Sequence, residues 1–261
     1  MKKILLILLS ISIFSCTKTD KQLLNEYDLI GNVESIKKIH LNYNINTSKF
    51  DTISIENLKF NSINKKIKGE FTTYFSNNIV LNIKSDLFYN SKGDLISENS
   101  DVHNLGDINF KTYSEYIYLN NKLDRIESFI KEKKSKQKRI IQIEKIIYKD
   151  GIINKSIERD FEIDEKINDT ICVKTTKKKY DKNERIIEID WNTIDNKVGK
   201  YEFVRNMNGL TTETKIYKNN NQDFDISKFR YEFDKNGNWI LQSEFISDTL
   251  KSIRKRLIIY K

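Results

Sequence analysis

Apolar and polar positions alternate along most of this chain. Ile187, Ile189 and Trp191 fall on one face while Glu188 and Asp190 fall on the other, and near the C-terminus Ile253, Leu257 and Ile259 share a face interrupted by Lys255. A period of two is the pattern of half-buried strands. The alternation breaks at a recurring unit in which an aromatic residue precedes a short polar turn and an apolar restart. The unit reads "FNSINKKI" from Phe60, "YNSKGDLI" from Tyr89, "YLNNKL" from Tyr118, "YKDGII" from Tyr148, "YDKNERII" from Tyr180, "FVRNMNGL" from Phe203 and "FDKNGNWI" from Phe233. Turn formers such as Asn90, Gly93, Asn120, Asp150, Gly151, Asn183, Asn208, Gly209 and Gly237 fill the gap, and Asn and Gly tolerate the positive φ of tight hairpins. Each unit predicts two strands, so the chain reads as an all-β antiparallel meander of repeated hairpins, a dozen strands or more. An open curved sheet or a sandwich is the expected form.

The N-terminus follows another rule. Lys2 and Lys3 precede an apolar run from Ile4 that continues, broken by serines, to Phe14, and Cys16 follows Ser15. The run is too short to span a membrane comfortably and has the layout of a signal peptide. The sequence therefore divides into a signal peptide at 1–15, a tether at 16–30 and a repeat-built β domain at 31–261.

The small residue before Cys16 resembles the lipobox of bacterial lipoproteins, in which that cysteine becomes the lipidated first residue. The resemblance implies acyl chains, palmitate among them, on Cys16, a membrane partner reached through that lipid, and a place in the cell envelope at the outer membrane. At "YDKNERII" the hairpin unit also resembles the YD (RHS-type) repeat: Tyr180, Asp181, Arg185 and Ile186 match, with Glu184 in the place of the usual glycine. Asp234 and Gly237 match at "FDKNGNWI", and similar degenerate repeats occur in bacterial lipoproteins of unknown function, which also carry a strand like "GNVESIKK" at Gly31 to Lys38. A membrane-spanning barrel is disfavoured by the lipobox and by charges on both faces of many strands.

Composition adds little chemistry. The formal charge is +9, charged residues are 32% and hydrophobic ones 38% of the chain, and there is no proline. Cys172 is the cysteine that remains once Cys16 is lipidated, which leaves no disulfide framework; it reads as a small hydrophobe. His40 and His103 lack the spaced partners of a zinc site, and no activated nucleophile is spelled out. "YEFDKNGNWI" has calcium-type oxygens at Asp234, Asn236 and Asn238, but Gly237 comes fourth instead of sixth and Phe245 stands where the bidentate Glu belongs, so it reads as a turn. Asp160, Glu162 and Asp164 share one strand face, expected to be solvated. No cofactor, metal or nucleic-acid module is implied.

Candidate binding residues are the basic run, represented by Lys133, Lys134, Lys136 and Lys138, and the two tryptophans, Trp191 and Trp239, as a stacking platform for sugar. The expectation is a non-enzymatic envelope lipoprotein that binds a polysaccharide or an envelope protein. A glycan hydrolase and a toxin-immunity lipoprotein are the alternatives.

Overall fold

The computed structural model describes residues 29–75, 78–104, 109–131, 138–164, 169–217 and 223–261. Cys16, the signal segment, most of the tether, and Lys133, Lys134 and Lys136 lie outside the described residues. Among those described, sixteen strands follow one another: β1 (Val33–Asn44), β2 (Lys49–Phe60), β3 (Lys66–Phe75), β4 (Asn78–Tyr89), β5 (Leu95–Asn104), β6 (Asn109–Leu119), β7 (Lys122–Lys131), β8 (Lys138–Lys149), β9 (Ile152–Asp164), β10 (Asp169–Tyr180), β11 (Ile186–Thr193), β12 (Val198–Arg205), β13 (Thr211–Tyr217), β14 (Phe224–Phe233), β15 (Trp239–Ile246) and β16 (Thr249–Tyr260). Each pairs with its sequence neighbours, antiparallel throughout.

The sheet is neither open nor a sandwich. β1 pairs with β16 from Val33↔Tyr260 to Asn42↔Ser252, which closes the meander into a barrel. The repeats themselves supply a reason for closure. At each repeated aromatic the register slips by one residue, between Lys59 and Phe60, Phe88 and Tyr89, Ile117 and Tyr118, Ile147 and Tyr148, Lys179 and Tyr180, and Glu232 and Phe233, with a matching slip at Val204/Arg205. A bulge bends its strand and sharpens the twist. Repeated at one rim, bulges coil the sheet until its two edge strands meet, and closure removes the unpaired edges an open sheet would expose.

All the repeat turns lie at one rim, here the turn rim, together with the entry to β1 and the end of β16. Five of these turns share one geometry. Asn61, Asn90, Asp181, Asn206 and Asp234 accept turn amides on their side chains, and Asn64, Gly93, Glu184, Gly209 and Gly237 follow in the left-handed conformation. The stretch from Tyr231 is thus a turn: Asp234 Oδ1 accepts from the amides of Asn236 and Asn238, both at 2.9 Å.

Successive units are stitched to each other. The hydroxyl of Tyr89 donates to the Lys66 carbonyl at 2.6 Å, Tyr118 to Leu95 at 3.1 Å, Tyr148 to Leu123 at 3.0 Å and Tyr231 to Thr211 at 2.7 Å. Tyr89, Tyr118 and Tyr148 are repeat aromatics that reach back to the strand restart of the unit before, and Tyr231, two residues ahead of the repeat aromatic Phe233, does the same. Where unit six offers Phe203, Arg205 takes over and donates to the Ile186 carbonyl. Apolar residues sit beside this rim on the inner face: Leu87, Leu95, Tyr116, Leu123, Ile126, Ile146, Ile153 and Tyr180 form one cluster, and Val33, Ile36, Leu58 and Phe60 form another.

Candidate functional site

Directly opposed residues in antiparallel strands point to the same side of a sheet. The register Gln142↔Asp160↔Lys174 on β8 to β10, Thr176↔Trp191↔Gly199 on β10 to β12, Tyr231↔Gln242↔Arg254 on β14 to β16 and His40↔Ser54 on β1 and β2 therefore traces the inner wall. At sixteen strands, side chains no longer fill a barrel, and an aqueous lumen is the geometric expectation.

The wall of β8 to β10 is acidic and tightly bonded. The Lys178 ammonium lies 2.6 Å from Glu158 Oε2 and 3.1 Å from Glu144 Oε1, and all three side chains are buried. Ser156 Oγ donates to Glu144 at 2.6 Å and sits 3.1 Å from the Tyr180 hydroxyl, while Gln142 donates to Asp160 at 2.8 Å. Burial pushes Glu158 up to about 7 against the opposing pull of Lys178, and burial also raises Asp160 and Glu162. Asp160 Oδ2 and Thr176 Oγ1 are buried with no hydrogen-bond partner.

The solvated carboxylate face expected at Asp160 is thus corrected. The alternation did place Asp160 and Glu162 on one side, but that side is the inside of a closed wall, where Glu144 and Lys178 arrive from other strands; the Asp164 side chain lies outside the described residues. A pair of carboxylates is also what a glycosidase uses. With Glu144 2% and Glu158 3% exposed, however, neither oxygen pair is open to a sugar.

The wall of β11 to β15 is different. Trp191, Tyr201, Phe203, Phe229, Tyr231 and Trp239 are all half-buried on the inner face. Trp191 lies against Gly199 so closely that a Cβ there would fall 2.4 Å from the indole. Trp239 stacks under the Arg256 guanidinium, 3.4 Å from the ring centroid, and meets Tyr231 edge-on at 6.0 Å. Arg254, next in line, is exposed while donating to Gln242 Oε1 at 3.0 Å. His40, opposite Arg254, is held down to about 4 by burial and by that cation.

The candidate residues are accordingly sorted. Trp191 and Trp239 both face the lumen but stand four strands apart, Trp239 beside the turn rim and Trp191 towards the opposite rim. Lys138 pairs with Glu115 at 2.6 Å and lies over the Phe129 ring, 5.1 Å from its centroid, on the outside. Cys172 is exposed and not a buried hydrophobe. Ile187 leaves the face of Ile189 and Trp191 because the Tyr180 bulge displaces it, and it stands exposed. Among the described residues no cluster of His, Cys, Asp or Glu is arranged to hold a metal.

The outer wall carries ion pairs around the barrel: Lys68–Asp86 at 3.4 Å, Lys84–Glu70 at 3.5 Å, Lys111–Asp101 at 2.8 Å and Lys200–Glu202 at 2.8 Å.

No known protein family matches the chain, and neither does any curated protein. Among solved structures it is similar to a porin-like protein from Bacteroides uniformis, at 8% identity and a TM-score of 0.42, covering 88% of this chain and 99% of that one. It is similar also to a porin-like protein from Bacteroides vulgatus, at 11% identity and a TM-score of 0.34 over 85% and 97% of the two chains. A third likeness is to the TcdB2-TccC3-Cdc42 structure, at 9% identity and a TM-score of 0.25, over 82% of this chain and 15% of that one.

Proposed function

We propose that this protein is a lipid-anchored barrel of the cell envelope that binds a polysaccharide segment in its lumen without turning it over. The observation that carries the reading is the inner wall of β11 to β15, where half-buried aromatic rings stand beside the exposed Arg254 in a sixteen-stranded barrel, a size at which barrels enclose an aqueous channel. Aromatic faces stack on the apolar faces of sugar rings, and Arg254 and Glu244 are hydrogen-bonding groups suited to sugar hydroxyls. The adjoining acidic wall keeps its carboxylates bonded to Lys178 and buried, which suits a scaffold more than an acid–base pair.

The outer wall supports a barrel standing in water. A Lys or Arg facing lipid near the bilayer midplane costs about 2–4 kcal/mol, and this wall presents charged pairs on successive strands. Membrane attachment is therefore assigned to lipid on Cys16, and metabolic labelling with a fatty acid is expected to mark the wild type and spare Cys16→Ser.

Both tryptophans of the chain lie in the lumen, so selectively excited tryptophan fluorescence reports on that compartment. Soluble envelope glycan fragments are expected to shift the emission saturably, with Trp191→Ala weakening the binding. Emission that never responds to any glycan, while acrylamide quenches it freely, would show an open lumen that does not take sugar and end this reading.

A further inference from the structure

Large apolar side chains crowd the turn rim on its outer side. Ile30, Ile63, Phe88, Ile96, Leu119, Ile147, Ile152, Ile187, Val204, Met207, Leu257 and Ile259 are all exposed. They flank six of the seven repeat turns and the end of β16, with Ile30 lying against Gly237 at the seventh, so the ring runs round the barrel. Each lies within about four residues of a turn or of Lys261, which at about 3.3 Å per residue and a strand tilt near 40° makes a band about 10 Å tall.

That height decides what the band fits. A spanning barrel needs an apolar belt about 25 Å tall, whereas a surface-seated protein buries its apolar face by about 5–10 Å at the boundary of headgroups and acyl chains. Above the band the outer wall turns to ion pairs, Lys84–Glu70 and Lys111–Asp101 among them. We infer that the turn rim seats end-on on an anionic lipid bilayer, with the apolar ring dipping into its interface.

Charge and chain path both favour a bilayer as the occupant. Lys92, Lys122, Lys149, Lys182 and Lys235 stand exposed in or beside the turns. The acids of the same turns are largely turned inward: Asp181 and Asp234 accept their own turn amides, and Glu184 accepts from Ile153 N at 3.1 Å. Asp150, beside Lys149, is the exception. The rim thus offers lysines outward to phosphate-bearing headgroups, within the Debye length of about 10 Å at ordinary salt. The chain N-terminal to Leu29 enters at this same rim, because Ile30 is bonded to Asn238 of the last repeat turn. From Cys16 to Leu29 the covalent reach is at most about 45 Å. The inference draws on the lipid-anchor reading for this orientation, and its test removes that lipid.

The full chain carrying Cys16→Ser is mixed with vesicles of phosphatidylcholine alone or with phosphatidylglycerol added, and binding is read by flotation. Binding is expected with the anionic vesicles, to weaken at high salt, and to fall about tenfold when Phe88, Leu119, Val204 and Leu257 are all changed to Ser. Changing Ile45, Ile194 and Phe224 to Ser at the opposite rim is expected to leave it intact. If the four-site variant does not fold, Leu119→Trp answers instead: its emission should shift to the blue on anionic vesicles and be quenched by brominated lipid. No vesicle binding by the Cys16→Ser chain, or equal loss from the opposite-rim variant, overturns the inference. So does concentration-dependent dimerisation that the rim variant abolishes in the absence of vesicle binding, since a second copy would then cover the ring. Fatty-acid labelling of the wild type reads the anchor separately, so the two ideas fail separately.

Discussion

Asn238 holds Ile30 across 208 residues of sequence. Its Oδ1 accepts from the Ile30 amide at 2.7 Å and its Nδ2 donates to the Ile30 carbonyl at 2.7 Å, as a paired strand would. The same Nδ2 lies 2.7 Å from the Tyr260 hydroxyl, and the side chain is 2% exposed. One amide thus joins the entry to β1 to the last repeat turn. Asn64, on the other side of β1, bonds Val33 N at 3.0 Å and the Gly31 carbonyl at 2.8 Å.

Asn238→Ala is therefore expected to destabilise the barrel by about 1–3 kcal/mol, since it removes the paired bonds to Ile30 and the contact with the Tyr260 hydroxyl. Urea unfolding measures this, and an unchanged midpoint would show that β1–β16 pairing alone holds the seam. Asn→Ala at the exposed Asn183 is the control.

At Gly237 the backbone sits at φ +83, and an added Cβ would meet Ile30 Cδ1 at 3.2 Å. Gly237→Val should cost about 1–3 kcal/mol from the left-handed conformation alone. Millimolar calcium should leave the melting temperature where it is; a rise of several degrees would mean that the Asp234 oxygens serve an ion and not the turn.

The tyrosine stitches predict a graded series. Tyr148→Phe removes the bond to the Leu123 carbonyl and Tyr89→Phe the bond to Lys66, each worth about 1 kcal/mol, and the double variant should show the sum because the bonds lie in separate units. Calorimetry of the three variants tests it. Equal stability of all three with the wild type would reduce the stitches to packing.

Two inner-wall groups should pull stability in opposite directions with pH. Glu158 rises from 4.5 to about 7 in the fold, so the folded chain binds more protons between those values; its contribution is complete below 4.5 and lost as pH rises through 7. His40 falls from 6.5 to about 4, so its contribution is present above 6.5 and lost as pH falls through 4. Relative to wild type, Glu158→Gln should gain stability from pH 5 to 7, and His40→Gln should gain it as pH drops from 6.5 to 4. Parallel pH profiles for wild type and both variants would contradict both assignments.

What the sequence determined on its own is local. The repeat turns could be read because a positive φ selects Asn and Gly at fixed places, as at Gly93 and Gly237, and the strands because exposure alternates along them. The resemblance to the YD repeat pointed to Arg185 and Asp181, and both are turn residues. Closure was decided elsewhere. β1 meets β16 through residues more than two hundred positions apart, Val33 with Tyr260, and no window of sequence carries such a pairing; the bulges that bend the sheet towards it are one-residue slips, visible only once the partner strand is known. The same reason hid the inner wall. A period of two says that Glu158 and Asp160 share a side but not which side is the lumen, and Lys178 reaches Glu144 from 34 residues away. Only the closed tertiary structure makes one face concave, and burial in that concavity turns a run of carboxylates, a lysine and two scattered tryptophans into adjoining walls of one compartment.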